Sequence, residues 1–165
     1  MANKQSFTPE EWTKILESTM LTGMAVSAAE PSGLWGALKE AFASSSAIAA
    51  AKMDAGSSEL IKAVIADFET SEGRTAIQEA IRKRLAGAKP ADAVQRSLAN
   101  LREVSAILDA KAPGDAADFK GWLRSISQKV AEASTEGGFL GIGGVQVSDA
   151  EKATLADIAK ALGAA

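Results

Sequence analysis

Hydrophobic residues recur every three or four positions along most of the chain, which is the spacing of one face of an α-helix. The clearest run starts at Thr8, where Thr8, Pro9 and Glu11 form a helix start, and it continues to about Ala29. Further helical runs begin near Leu34, Leu60, Ser71, Lys89, Asp115 and Ser148. No segment alternates hydrophobic and polar residues over the length of a strand. We therefore predict an all-α fold, a single compact domain over residues 1–165 with about seven helices.

The last third of the chain yields the most detailed local prediction. A helix ends at Glu136, a glycine-rich loop covers residues 137–147, and Ser148 starts the final helix. Ser148 and Glu151 have the S-x-x-E spacing of a capping box, in which each side chain accepts a hydrogen bond from the backbone amide of the other residue. Asp149 adds negative charge where the helix dipole is positive. We expect the carboxylates of Glu136, Asp149 and Glu151 to gather at this corner.

A weak internal repeat connects this corner with the N-terminal half. Residues 24–33 and residues 129–138 each end a hydrophobic helix in small residues, a carboxylate and glycine, and the carboxylates are Glu30 and Glu136. Together with the box at Ser148, this pattern resembles the TerB-type tellurite-resistance family. In that all-helical family, two helix–turn–helix units each carry alanines, an acid and a glycine, followed by a capping box. The resemblance is strongest over the last third of the chain.

The resemblance implies a bacterial, non-enzymatic module that is associated with stress responses and binds a divalent cation, Ca²⁺ or Mg²⁺. The predicted metal ligands are Glu30, Glu136, Asp149 and Glu151. This chain departs from the family pattern because glutamate replaces aspartate at both acid positions, and because Pro31-Ser32 separates the first acid from its glycine. The alternative reading is that Glu136 is a solvated helix end and that Asp149 and Glu151 only cap the last helix.

Composition narrows the remaining chemistry. The chain has no Cys and no His, so thiolate and imidazole catalysis are excluded and any metal must be held by oxygen ligands. The net charge of −3 argues against a nucleic-acid partner, which requires a basic face. No leader opens the chain and no hydrophobic run reaches the roughly 20 residues that span a bilayer, so we expect a cytoplasmic protein without a transmembrane segment. Residues 1–6 are expected to be a loose start.

One local run contrasts with this acidic balance. Arg82, Lys83 and Arg84 lie near the end of a predicted helix, where cations are stabilised by the helix dipole. The run is either a solvated helix end or a site for an anion or a partner. Three functions are therefore left open. The first is a metal-binding module, and the second is a protein-interaction or scaffold domain without metal, whose partner is another protein or a second copy of the chain. The third is an enzyme that uses carboxylates alone.

Overall fold

The computed structural model describes residues 1–29, 57–136 and 147–163, with side chains up to residue 132 in the second range. Over these ranges the chain is helical, which confirms the all-α prediction. The elements are a short 3-10 helix Lys4–Ser6, α1 Pro9–Ala29, α2 Glu59–Glu69, α3 Ser71–Arg84, α4 Pro90–Lys111, α5 Pro113–Glu136 and α6 Asp149–Ala161. The helix predicted near Leu34 and nearly all of the glycine-rich loop at 137–147 lie outside the described residues. None of the helices described is both long and apolar enough to cross a bilayer.

Helix α1 is the centre of the fold. It packs most extensively on α4 and also contacts α5, α3 and α6. Every residue from Ile15 to Ala28 except Met20 is buried, so this helix is enclosed on nearly all sides. Its buried hydroxyls are satisfied within the helix, since Ser18 Oγ donates to the Ile15 carbonyl at 2.7 Å and Thr22 Oγ1 donates to the Ser18 carbonyl at 2.7 Å. Helix α1 therefore forms a central rod on which the other helices pack.

The core joins the hydrophobic faces of the six helices that the structure describes. Each of them contributes buried hydrophobic side chains to one cluster. The largest hydrophobic side chains that are fully buried are Ile15, Leu16, Leu21, Leu60, Leu98, Leu101, Leu108, Phe119, Leu123, Ile158 and Leu162. At about 25 cal/mol per Å² of apolar surface, each of these side chains contributes roughly 1.5–3 kcal/mol to folding.

Two predicted helix starts need correction. The cap of α3 is Thr70 rather than Ser71, because Thr70 Oγ1 accepts from the backbone amide of Gly73 at 2.9 Å. Helix α5 begins at Pro113, so Asp115 lies inside its first turn instead of capping it. The Asp115 carboxylate is buried and accepts from the backbone amide of Ala2 at 2.8 Å. At α3 the choice lies between two suitable caps, Thr70 and Ser71, whereas at α5 the carboxylate of Asp115 is used by the tertiary contact with Ala2.

The start of the chain is held by specific contacts. Beyond the Ala2 bond to α5, Lys4 Nζ lies 3.1 Å from Asp67 Oδ2, and Trp12 Nε1 donates to the same oxygen at 2.7 Å. The rings of Phe7 and Trp12 stack with centroids 5.9 Å apart. Residues 1–6, expected from sequence to be a loose start, thus contact both α2 and α5 in the structure.

The capping box of the last helix is present as predicted. Ser148 Oγ accepts from the Glu151 amide at 3.2 Å, and Glu151 Oε2 accepts from the Ser148 amide at 2.8 Å. On the buried face of α6, Thr154 is buried together with Ile158 and Ala161. Thr154 is tolerated there because its hydroxyl donates to the Ala150 carbonyl at 2.9 Å.

Candidate functional site

The described structure includes the side chains of only two of the four predicted metal ligands, Asp149 and Glu151. Glu30 lies outside the described residues, and Glu136 is the last residue of α5, with a side chain beyond the described part. Asp149 is exposed, with Lys152 Nζ 3.6 Å from its carboxylate, whereas Glu151 is only 2% exposed and is used by the capping box. No group of three or more acidic side chains suited to a metal ion is found among the side chains described. The metal site therefore stays a prediction.

A different polar site lies where α1, α3 and α4 meet. An open cleft of about 670 Å³ separates the first half of α1 from the end of α3 and the first half of α4. We call it the α1/α3/α4 cleft. It is lined by Pro9, Glu10, Thr13, Lys14, Glu17, Ala80, Lys83, Arg84, Arg96 and Ala99. Its volume lies within the roughly 300–1,000 Å³ that small-molecule sites occupy.

The inner wall of the cleft is a buried ion pair. Glu17 is 2% exposed, and its Oε1 accepts from Arg84 Nε at 2.8 Å and from Arg84 Nη2. The same oxygen accepts from Asn100 Nδ2 at 2.8 Å. Three N–H donors from two other helices therefore converge on one carboxylate oxygen of α1. Such saturation makes this oxygen an anchor for Arg84 rather than a free base.

The turn between α3 and α4 presents Arg84 and Arg96 to the cleft. Helix α3 ends at Arg84, and Gly87 adopts a φ of 66°, which favours glycine. Arg96 Nη1 donates to the carbonyls of Arg84 and Ala86 at 2.9 and 3.0 Å, so it satisfies groups that the end of α3 leaves unpaired. This turn fixes the backbone from which the Arg84 side chain reaches Glu17.

The cleft is rich in donors and cations. Lys14 is paired with Glu103 at 2.8 Å and Arg84 is paired with Glu17. Lys83 and Arg96 also line the cleft, and neither has a carboxylate partner in the described part of the chain. The acid that balances them is Glu10 at the exposed rim. Within the basic run that the sequence singled out, Arg84 is half-buried and anchored to Glu17, whereas Lys83 is exposed and makes no ion pair among the described residues.

Two buried polar atoms on α4 lack a partner in the described structure. They are Ser97 Oγ and Asn100 Oδ1, both on residues with no exposed surface. Asn100 Nδ2 donates to Glu17 Oε1 and to the Lys14 carbonyl, which fixes the orientation of the side-chain amide. Its oxygen, Oδ1, is therefore the amide atom without a hydrogen-bond partner among the described residues. Buried polar atoms are seldom left unpaired, so these two atoms are unused hydrogen-bonding capacity inside α4, on residues that do not themselves line the cleft.

Glu17 and Asn100 were not predicted as site residues from the sequence, although their helical spacing to buried hydrophobic residues indicates that they face inward. Glu17 precedes the buried Leu21 by one helical turn, and Asn100 precedes the buried Val104 by one turn. A charged or amide side chain at the spacing of the buried face is seldom buried unless it is paired. The spacing therefore marks two inward polar residues that need partners, but the sequence alone does not say that they pair with each other.

Comparison of the chain with protein-family models, with curated proteins and with solved structures finds no match. The resemblance to the TerB-type family accordingly stays a prediction that rests on the residues quoted for it. The structure supports the coarser statement that the domain is all-α.

Proposed function

We propose that this protein is a non-enzymatic helical binding module and that its recognition site is the α1/α3/α4 cleft. The proposal keeps the TerB-like, binding-type function predicted from the sequence and moves the site away from the acidic corner at Ser148. Like the protein-interaction domain that the sequence left open, the proposed module binds without a metal, but its site is a cleft of small-molecule size.

The observation that carries this proposal is the Glu17–Arg84–Asn100 network, in which Glu17 and Asn100 are buried, Arg84 is half-buried, and Glu17 and Arg84 line an open cleft. Burying charges costs several kcal/mol each unless they are well paired, so a buried ion pair is weak evidence for a purely stabilising role. A hydrophobic trio of similar size would fill the same wall at no desolvation cost. The network instead holds a guanidinium in a fixed position at the surface of the cleft, which is the arrangement that a preorganised recognition site requires.

The acidic corner has a simpler explanation. Glu151 is buried and both partners of its capping box are in place, and Asp149 is exposed beside Lys152. A helix cap of this kind stabilises a protein by about 1 kcal/mol, which accounts for the serine–glutamate pattern without a metal.

The test is an ¹⁵N chemical-shift screen of the full chain against a fragment set that includes neutral, anionic and cationic compounds, together with separate Ca²⁺ and Mg²⁺ titrations. We expect the fragments that bind to shift the amides of residues around Thr13, Lys83 and Ala99. Shifts confined to residues 147–152 on addition of Ca²⁺ or Mg²⁺ would instead support the metal-binding function. Absence of any fragment response around the cleft would refute the proposal.

A further inference from the structure

We infer that the α1/α3/α4 cleft binds a small anionic ligand, one that presents a carboxylate or phosphate group to Lys83, Arg96 and the outer edge of Arg84. This inference rests on the proposed function and names the ligand class of the same site. It also assigns a role to the basic run Arg82–Arg84, which the sequence left open between a solvated helix end and an anion site.

The first argument is the balance of hydrogen-bonding groups. Arg84 uses Nε and Nη2 on Glu17, and its Nη1 has no partner among the residues that the structure describes. Arg96 uses Nη1 on two carbonyls, which leaves its Nε and Nη2 without a described partner. Guanidinium and ammonium groups only donate hydrogen bonds, so a ligand that satisfies these groups must bring acceptor atoms. Carboxylate and phosphate oxygens are the acceptors that guanidinium groups bind most strongly.

The second argument is charge. The chain as a whole has a net charge of −3, yet the cleft contains Lys83 and Arg96 without carboxylate partners in the described ranges. The opposing charge is Glu10, which is exposed at the rim. Since Glu17 is paired with Arg84, the cleft keeps an excess of positive charge, and an excess of one sign in a cleft concentrates ligands of the other sign. A doubly charged anion is therefore expected to bind more tightly than a singly charged one.

The third argument is preorganisation. A free arginine loses rotamer freedom when it binds a ligand, which lowers affinity by roughly 0.5–1.5 kcal/mol per immobilised side chain. Arg84 has already lost that freedom, because Glu17 holds two of its nitrogens and only 21% of its side chain is exposed. The walls formed by Ala80 and Ala99 are small side chains that leave room for a ligand beside it.

The experiment follows amide shifts of the full-length protein during titration with inorganic phosphate, succinate and acetate at constant ionic strength. An acetylated and amidated Glu-Gly-Glu peptide and a diamine serve as further probes. We expect phosphate and succinate to shift amides around Lys83, Arg96 and Ala99 more strongly than acetate does, and the diamine to leave these amides unchanged. Comparison of phosphate with succinate identifies which of the two anion types the cleft prefers.

Three charge variants separate a cleft site from a general response to salt. Lys83→Gln removes a cation that makes no described ion pair, and we expect the dissociation constant for phosphate to rise about three- to tenfold. Glu10→Gln removes the opposing charge at the rim, and we expect that constant to fall about threefold. Lys129→Gln is the matched control: it removes an exposed lysine of α5 that does not line the cleft, and it should change nothing.

Four other results would refute the anion-binding inference, and each leads to a different conclusion about the cleft. If only neutral or cationic fragments shift the cleft amides, the proposed function stands and the anion assignment fails. If the acidic peptide binds while phosphate and succinate do not, the ligand is a protein segment instead of a small molecule. If phosphate binding is equally weak in the wild type and in Lys83→Gln, the basic run is a solvated helix end. If no probe of any charge acts at the cleft, both proposals fail together.

Discussion

Replacement of Arg84 by methionine tests the energetic role of the Glu17 network. The variant keeps an unbranched apolar side chain in place of the arginine stem but removes the guanidinium and with it both N–H groups that donate to Glu17 Oε1. Glu17 is 2% exposed, so its carboxylate would stay buried with Asn100 as its remaining donor among the described contacts. Breaking a buried ion pair from one side costs about 3–5 kcal/mol. Because 21% of the Arg84 side chain is exposed, we expect the lower end of that range, about 3 kcal/mol.

Replacement of the other partner, Glu17, should lower the free energy of unfolding by less. Glu17→Gln keeps a carbonyl oxygen for Asn100 and leaves Arg84 partly able to reach water, so we expect a loss of about 1–2 kcal/mol. The double variant Glu17→Gln with Arg84→Met leaves no buried charge in this network. Its loss should therefore be at least about 1 kcal/mol smaller than the sum of the two single losses.

Urea unfolding at neutral pH measures these free energies, and equal m-values across the variants would show that the folded and unfolded states remain comparable. In a protein of 165 residues, 1 kcal/mol corresponds to about 2–4 °C in Tm, so Arg84→Met should melt roughly 6–12 °C below the wild type. Arg124→Met is the control, since Arg124 is exposed and is expected to stay within about 0.5 kcal/mol of the wild type. Additive losses in the double variant, or a loss below about 1 kcal/mol for Arg84→Met, would refute the reasoning.

Four further predictions concern stability. Gly73→Ala should unfold more easily in urea than the wild type, since a Cβ there would lie 2.1 Å from the Asp67 carbonyl oxygen. At Gly121 an added Cβ would meet no such neighbour within 4 Å, so Gly121→Ala should raise the free energy of unfolding by about 0.5–1 kcal/mol. Equal effects of the two substitutions would contradict this account. Trp12→Phe should lose about 1–2 kcal/mol in urea because it removes the 2.7 Å bond to Asp67, and an unchanged midpoint would show that this bond contributes nothing. The Lys111 ammonium and, after it, the Thr8 backbone amide lower the pKa of Glu11. The wild type should therefore be more stable than Glu11→Gln above the ordinary glutamate pKa, and this advantage should vanish as the pH falls through the lowered pKa. An advantage that grows in acid would contradict the direction of this pKa shift. Ser148→Ala should cost about 1 kcal/mol in a thermal melt, with exposed Ser125→Ala as its control, and equal Tm values for the two variants would argue against the cap.

The parts of the fold that the sequence predicted correctly depend on local signals. The start of α1 at Thr8-Pro9 and the box at Ser148–Glu151 are recognisable because the capping atoms lie within three residues of each other. The start of α3 was misplaced by one residue because Thr70 and Ser71 carry equivalent hydroxyls. The start of α5 was misplaced because Asp115 is used by Ala2, which is 113 positions away.

The candidate site depends on long-range contacts, which explains why the sequence did not reveal it. Glu17 and Arg84 are 67 positions apart, and Glu17 and Asn100 are 83 positions apart. Each helix shows an inward polar residue by its own periodicity, yet the partner is decided only when α1, α3 and α4 pack together. The sequence did single out the basic run at Arg82–Arg84, and the structure adds that Arg84 and Lys83 have different surroundings.

The most direct test of the binding cleft is a crystal structure of the protein soaked in selenate, a doubly charged anion that anomalous scattering locates without ambiguity. We predict a selenium peak in the α1/α3/α4 cleft, within hydrogen-bonding distance of Lys83 or Arg96, with Arg84 still bonded to Glu17. An empty cleft in a crystal that carries selenate at exposed cations elsewhere, such as Lys129, would contradict this assignment.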